Sequence, residues 1–307
     1  MFRPFQVAVT AAALLLSIPL LAETHYPLTV FDDLDNKITL TKAPQKVSSK
    51  TLFTDEVLTS ILSPQRLSSL TNYAADPGYS NITNQFPKAV PLLDFNAEKI
   101  LSNNPDLVFA ADWSDSGTIE QLRRVGVTVY LIDTPTRWQD IQAEILKIGQ
   151  ILNVEAQAEQ LLHERNLQLQ ALSSQREEIK QHRLVALDYN TWGTASGVDT
   201  TWNTVLEQAG LINGSAQFEQ GRFGQVAMSK ELIVTINPDV LFLPGWVGDH
   251  SDGEAFYHQL LDDPALSNVK AVHNGRVYAV PEKLRGTYSQ YMVDAISFVI
   301  NAVAADL

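Results

Sequence analysis

Two stretches decide how this chain folds. They are Asn96-Ala-Glu-Lys-Ile-Leu-Ser-Asn-Asn-Pro-Asp-Leu-Val-Phe-Ala-Ala-Asp-Trp113 and Ser229-Lys-Glu-Leu-Ile-Val-Thr-Ile-Asn-Pro-Asp-Val-Leu-Phe-Leu-Pro-Gly-Trp246. Each opens on a residue of the helix N-cap type, Asn96 or Ser229, with an acid two places on, Glu98 or Glu231. A short apolar helical turn follows and stops at Asn-Pro-Asp, residues 104–106 or 237–239. Proline cannot continue a helix, and it drives the residue before it out of the helical region. A β-type run comes next, Leu107–Phe109 or Val240–Leu243, and then a tryptophan eight residues beyond the proline. The spacing from glutamate to tryptophan is the same in both copies.

Further along each half the echo continues. Val127–Ile132 and Arg276–Val280 read as buried strands, and each follows a glycine, Gly126 or Gly275. Helix and strand alternating twice over predict an α/β fold of two similar lobes with mostly parallel sheets. Between the copies, Ile141, Ile145, Ile148 and Leu152 draw an apolar stripe along a helix from Trp138 to Leu152. From Glu155 to about Gln181 the chain then runs 27 residues without glycine or proline. At about 1.5 Å per residue that is a helix of roughly 40 Å, long enough to join two lobes as one bridging strut. A helix packed on a single lobe is the plainer alternative. Ser289 to Ala305 reads as an amphipathic helix closing the second lobe.

The start of the chain has a different character. Arg3 precedes an apolar run from Val7 to Leu21 that ends at Ala22, the layout of a secretory signal peptide over residues 1–22. The run is short of the roughly 20 apolar residues of a spanning helix. Removing 22 of the 307 residues leaves 285, and losing Arg3 takes the net charge from −13 to −14. The predicted organisation is therefore an N-terminal lobe over 23–139, an interlobe helical segment over 140–182 and a C-terminal lobe over 183–307. The expected location is the periplasm, with the mature chain soluble and monomeric.

Composition narrows the function. With 22 Lys and Arg against 35 Asp and Glu, the clustered cations of a nucleic-acid binder are missing. The absence of cysteine excludes disulfides, thiolate metal sites, a Cys nucleophile and a lipid anchor on an N-terminal cysteine. The six histidines form no short-spaced pair of the kind that grips a bare metal ion. No nucleophile elbow, phosphate loop, His-Glu-x-x-His or dinucleotide fingerprint occurs. An exported enzyme or a receptor ectodomain or adhesin module thus has little to support it, and no cofactor is expected.

Two lobes, a bridging helix and a Glu-bearing helix before each Asn-Pro-Asp strand resemble the helical-backbone (class III) periplasmic substrate-binding proteins of ABC importers. The segment Gly197–Asn213 is also similar to the second lobe of that family. The resemblance spans nearly the whole mature chain. It implies capture of a ferric siderophore, or alternatively cobalamin or haem, between the lobes, followed by delivery to an inner-membrane permease dimer driven by its ATPase. It implies further that Glu98 and Glu231 dock on arginine pockets of the permease. The local alternative for both acids is a favourable interaction with their own helix dipoles.

Residues expected at the cleft follow from position. Ligands of open α/β sheets bind beyond the carboxyl ends of the strands. Trp113 and Trp246 follow such ends, Trp192 and Trp202 flank the loop after a strand at Leu184–Leu187, and Tyr73 and Tyr79 lie in the loop after a strand at Leu67–Leu70. Lobe-core or rim positions are the alternative for the tryptophans, and a surface turn on Asp76-Pro-Gly for the tyrosines. Arg222 and Arg285, with Arg137, lie in apparent loops beside aromatics and could neutralise an anionic chelate; solvated surface arginine is the alternative.

Overall fold

A computed structural model gives the fold over residues 24–245 and 253–307. The predicted signal segment and Trp246 lie outside the described residues. An antiparallel hairpin of β1 (Leu28–Phe31) and β2 (Lys37–Leu40) leads into the first sheet. That sheet comprises β3 (Val47–Ser49), β4 (Leu67–Thr71), β5 (Leu92–Leu93), β6 (Leu107–Ala111) and β7 (Thr128–Ile132). Its order is β5-β4-β3-β6-β7, and every pairing is parallel. The helices of this half are α1 (Leu52–Ile61), α2 (Ala97–Leu101), α3 (Ser116–Arg124) and α4 (Trp138–Leu152).

The second sheet repeats the plan. It contains β8 (Val185–Asp188), β10 (Ile212–Asn213), β12 (Val240–Pro244) and β13 (Val277–Val280) in the order β10-β8-β12-β13, again all parallel. A two-stranded antiparallel ribbon, β9 (Thr194–Ser196) with β11 (Gln225–Ala227), stands beside it. Its helices are α7 (Thr201–Gln208), α8 (Lys230–Ile236), α9 (Glu254–Leu261), α10 (Lys270–His273), α11 (Glu282–Arg285) and α12 (Met292–Ala304). The strand order 4-3-6-7 of the first sheet therefore maps onto 10-8-12-13 of the second, so the lobes are similar in topology as well as in motif.

The repeated motif folds for the same local reason in both lobes. Asn96 Oδ1 accepts from the Lys99 amide and Ser229 Oγ from the Leu232 amide, capping α2 and α8. Asn104 and Asn237 turn the chain in the left-handed region, at φ 47° and 49°, which asparagine tolerates better than other residues with side chains. The aspartate after each proline then binds the start of the neighbouring strand. Asp106 accepts from the Gln45 and Lys46 amides at 2.7 and 2.9 Å, and Asp239 from the Val185 amide at 3.0 Å. Gly126 and Gly275, at φ 88° and 71°, supply the matching left-handed turns before β7 and β13. Asp106→Ala should cost about 1–2 kcal/mol, because it removes two hydrogen bonds to a charged acceptor while water takes up the freed, exposed amides. A urea midpoint unchanged from the parent would count against this account of the motif.

Alternation along the strands buries both faces of each sheet. Val108 and Ala110 face α2 and α3, while Leu107 and Phe109 join a core shared with α1 and α4. In the second sheet Leu241 and Leu243 pack on one face, and Val240 and Phe242 belong to the same shared core. That core runs on through α5 (Glu155–Ala171), α6 (Ser173–His182) and α12, so one continuous apolar body joins the lobes.

The bridging helix spans the region the sequence predicts, with one break between α5 and α6 at Leu172 (φ −96°, ψ 5°). Ser173 and Ser174 follow at once, and serine competes with the backbone for hydrogen bonds. Gly149 lets α4 and α5 approach, since a Cβ there would lie 2.7 Å from that of Ala158. Among the described residues no helix is long and apolar enough to cross a membrane.

Candidate functional site

A cavity of about 530 Å³ opens at the carboxyl edge of the first sheet, where the C-terminal segment crosses it. From the first lobe it is lined by the residues after β3 (Lys50, Thr51, Leu52), after β4 (Thr71, Asn72, Tyr73, Tyr79), after β5 (Asp94, Phe95) and after β6 (Trp113). From the other side come Glu282 and Gly286 and the aromatic ring of Tyr288. Parallel strands all deliver their following loops to one edge, so residues far apart in the chain converge there.

The walls are largely aromatic. Tyr73 and Tyr79 meet edge to face at 5.8 Å, and Tyr288 stacks on Phe53 at 6.2 Å. Trp113 is 66% exposed while its indole N–H donates to Thr134 Oγ1 at 3.2 Å, so an aromatic face is presented at the mouth and held in place. The Tyr288 hydroxyl lies against the first backbone amides of α1, at Leu52 and Phe53. Burial pushes its pKa well above the usual tyrosine range, and it stays neutral.

The charged groups on the wall are mostly paired. Asp94 binds Lys99 at 3.0 Å and accepts from Asn72. Glu282 holds Arg285 in a two-pronged contact at 2.8 and 2.9 Å. Lys50 is 5% exposed, and its Nζ has no hydrogen-bond partner among the described residues. Burial lowers its pKa to about 8, against the pull of Asp55 and Asp94.

The structure brings together three of the aromatics expected from sequence, Tyr73, Tyr79 and Trp113. The other expected residues that the structure describes do not line it. Trp202 is 2% exposed and fills the core edge to face with Phe242 at 5.5 Å, because α7 turns it inward with Val205 and Leu206. Arg285 sits behind the wall rather than on it, bound by Glu282 and 3.5 Å from buried Asp188. Trp192 and Arg222 are exposed and do not line the cavity; Arg222 lies over the Phe223 ring at 4.5 Å. Arg137 pairs with Asp140 at 3.1 Å on the surface. Lys50, Phe95, Glu282 and Tyr288 line the cavity without having been singled out in the sequence. Their shared signal is position, each following a strand that ends at this edge or lying in the segment that crosses it.

Glu98 and Glu231 occupy equivalent exposed places in the first turns of α2 and α8. A helix that leads back into a parallel strand begins at the sheet's carboxyl edge, so both acids stand on the side of the molecule that carries the cavity. Its own backbone amide and the Ser229 hydroxyl hold the Glu231 carboxyl below the usual range, keeping it ionised.

Two α/β lobes of matched topology, a helical bridge and a cavity at the strand ends agree with the comparisons by sequence. The periplasmic binding protein family matches residues 56–284. The chain belongs to that family. An uncharacterised ABC transporter substrate-binding lipoprotein of Bacillus subtilis, YvrC, is 24% identical over 300 residues, 92% of this chain and 87% of its own length. The ferric-anguibactin-binding protein FatB of Vibrio anguillarum is 24% identical over 190 residues, 60% of this chain and 58% of its own. A periplasmic binding protein of Veillonella parvula superposes with a TM-score of 0.74 at 15% identity, covering 91% of this chain and 97% of that one, a likeness of fold. The family comprises substrate-binding proteins of transporters rather than enzymes.

Proposed function

We propose that this protein is the exported, soluble receptor of an ABC importer, and that it takes a chelated-iron (siderophore) complex into the cavity between Tyr73, Tyr79, Trp113 and Tyr288. The aromatic cavity at the carboxyl edge carries the reading: rigid rings offer large contact area at little entropic cost, which suits a bulky preformed complex. The relative FatB, described as binding ferric anguibactin, supports iron chelates as the ligand class. Export by residues 1–22, a lobe organisation of 23–139 and 183–307 around the segment 140–182, a monomeric state and docking through Glu98 and Glu231 belong to the same proposal.

Titration of the purified protein with ferric chelates, followed by tryptophan fluorescence, tests it directly. Saturable quenching without turnover is the expected result. Cobalamin or haem binding in place of every ferric siderophore would keep the cleft and overturn the ligand class. Trp113→Ala is expected to weaken binding roughly ten- to a hundredfold, as loss of an aromatic anchor does, with no change in thermal unfolding because the ring is mostly exposed. Unchanged affinity in this variant would remove Trp113 from the site.

A further inference from the structure

Lys50 is the one charged side chain lining this cavity for which the described residues offer no ion-pair or hydrogen-bond partner at Nζ. It stands between the last residue of β3 and Thr51, the N-cap of α1, with its own amide tied to the Phe109 carbonyl at 2.9 Å. The backbone is thus fixed, and the side chain belongs to the cavity lining beside the positive end of a ten-residue helix, with Nζ itself covered. Burying a lone ammonium is costly, and a fold keeps one where something else supplies the opposite charge. The acids nearby are already engaged. Asp55 accepts from the Thr71 amide at 3.0 Å and from its hydroxyl, Asp94 is held by Lys99 and Asn72, and Glu282 by Arg285.

We infer that Lys50 is the anion-recognition group of the cleft, so that the ligand is an anionic chelate whose carboxylate or catecholate charge is balanced by the Lys50 ammonium, rather than a neutral or cationic one. This deepens the chelate reading and rests on it. The overall acidity of the chain does not oppose it, because a buried charge acts on a ligand in the cleft far more strongly than screened surface acids do. The ammonium is charged at neutral pH, since its pKa, though depressed, remains about 8. The charges acting on it are Asp55 on α1 and Asp94 after β5, and Glu282 on α11, Tyr73, Tyr79 and Tyr288 line the same cavity. An anionic ligand would raise the Lys50 pKa, so its affinity should fall as pH rises above 8.

Two measurements test the inference. In the first, calorimetry compares ferric citrate and a ferric tris-catecholate with a cationic ferric trihydroxamate, on the parent and on Lys50→Met, which keeps the apolar stem. The parent is expected to bind an anionic chelate and to discriminate against the cationic one, and Lys50→Met to lose about tenfold or more of that affinity. Equal affinity for the cationic chelate, or an unaltered Lys50→Met, overturns the inference. In the second, reductive 13C-methylation labels the lysines, and the Lys50 signal, assigned by its absence in Lys50→Met, is titrated with and without metal-free citrate. An upward shift of its midpoint with citrate is expected. If no chelate binds but citrate shifts Lys50, the iron reading fails and the anion site stands; if neither responds, both fall.

Discussion

Replacing Glu98 and Glu231 together by alanine is expected to abolish ligand uptake by whole cells while leaving ligand affinity within about twofold of the parent. The two acids lie in matching first turns of α2 and α8, both exposed and both on the side that carries the cavity. Neither lines the cavity, so binding has no reason to change. Stability has little reason to change either, since the N-caps Asn96 and Ser229 remain. A carboxylate desolvated against a guanidinium is costly to remove from an interface, and loss of two should weaken docking by roughly a hundredfold or more. Each single variant should lose less than the pair. Unimpaired transport by the double variant would sink the docking role and return both residues to a local helix-dipole function.

The repeated Asn-Pro-Asp motif was legible because its chemistry is local. Left-handed asparagine, helix-stopping proline and strand-binding aspartate act within a few residues and position β6 and β12 by the same means. The core was legible where periodicity was strong, as in α4, whose observed range matches the predicted one. Trp202 shows how a reading from position alone fails. Trp202, Val205, Leu206 and Ala209 recur at the spacing of a buried helical face, and all four are buried, yet the loop before them drew the residue toward the cleft. Lys50 was missed for the opposite reason. A single lysine after a short strand looks like a solvated surface residue, and only the crossing of Tyr288 and Glu282 over the strand ends closes the space around it. Arg285 looked available in sequence because its captors, Glu282 one helical turn back and Asp188 on a distant strand, are brought to it by the fold.

Glu56→Gln is expected to make the protein more stable at pH 8 and to reduce the dependence of stability on pH between about 5 and 8. Glu56 is 2% exposed on α1, where the lobes meet. It accepts from the amide and side chain of Asn81 at 2.9 and 3.0 Å and from the Ser289 hydroxyl, while Asn81 also donates to the Lys283 carbonyl at 3.0 Å. Gln290 adds a bond to the Glu56 carbonyl at 2.9 Å, so α1 and the C-terminal segment are strapped together around this one carboxyl. Burial, reinforced by Asp55, pushes its pKa from 4.5 up to about 7 despite those hydrogen bonds. Between these two values the native state holds a proton that the unfolded chain releases. The stabilisation is therefore complete below pH 4.5 and is lost as pH rises through 7. At 1.36 kcal/mol per unit the full swing is on the order of 3 kcal/mol. Asp55 and Glu144, raised by burial to about 6 and about 7, contribute in the same direction, so some slope persists in the variant. Glutamine keeps an acceptor for Asn81 and turns its amide toward Ser289 Oγ, removing the buried charge without emptying the strap. Urea unfolding at pH 5, 6.5 and 8 measures the difference. A variant less stable than the parent at pH 8, or one with an undiminished slope, would show that the ionised carboxylate holds the strap more tightly than its burial costs.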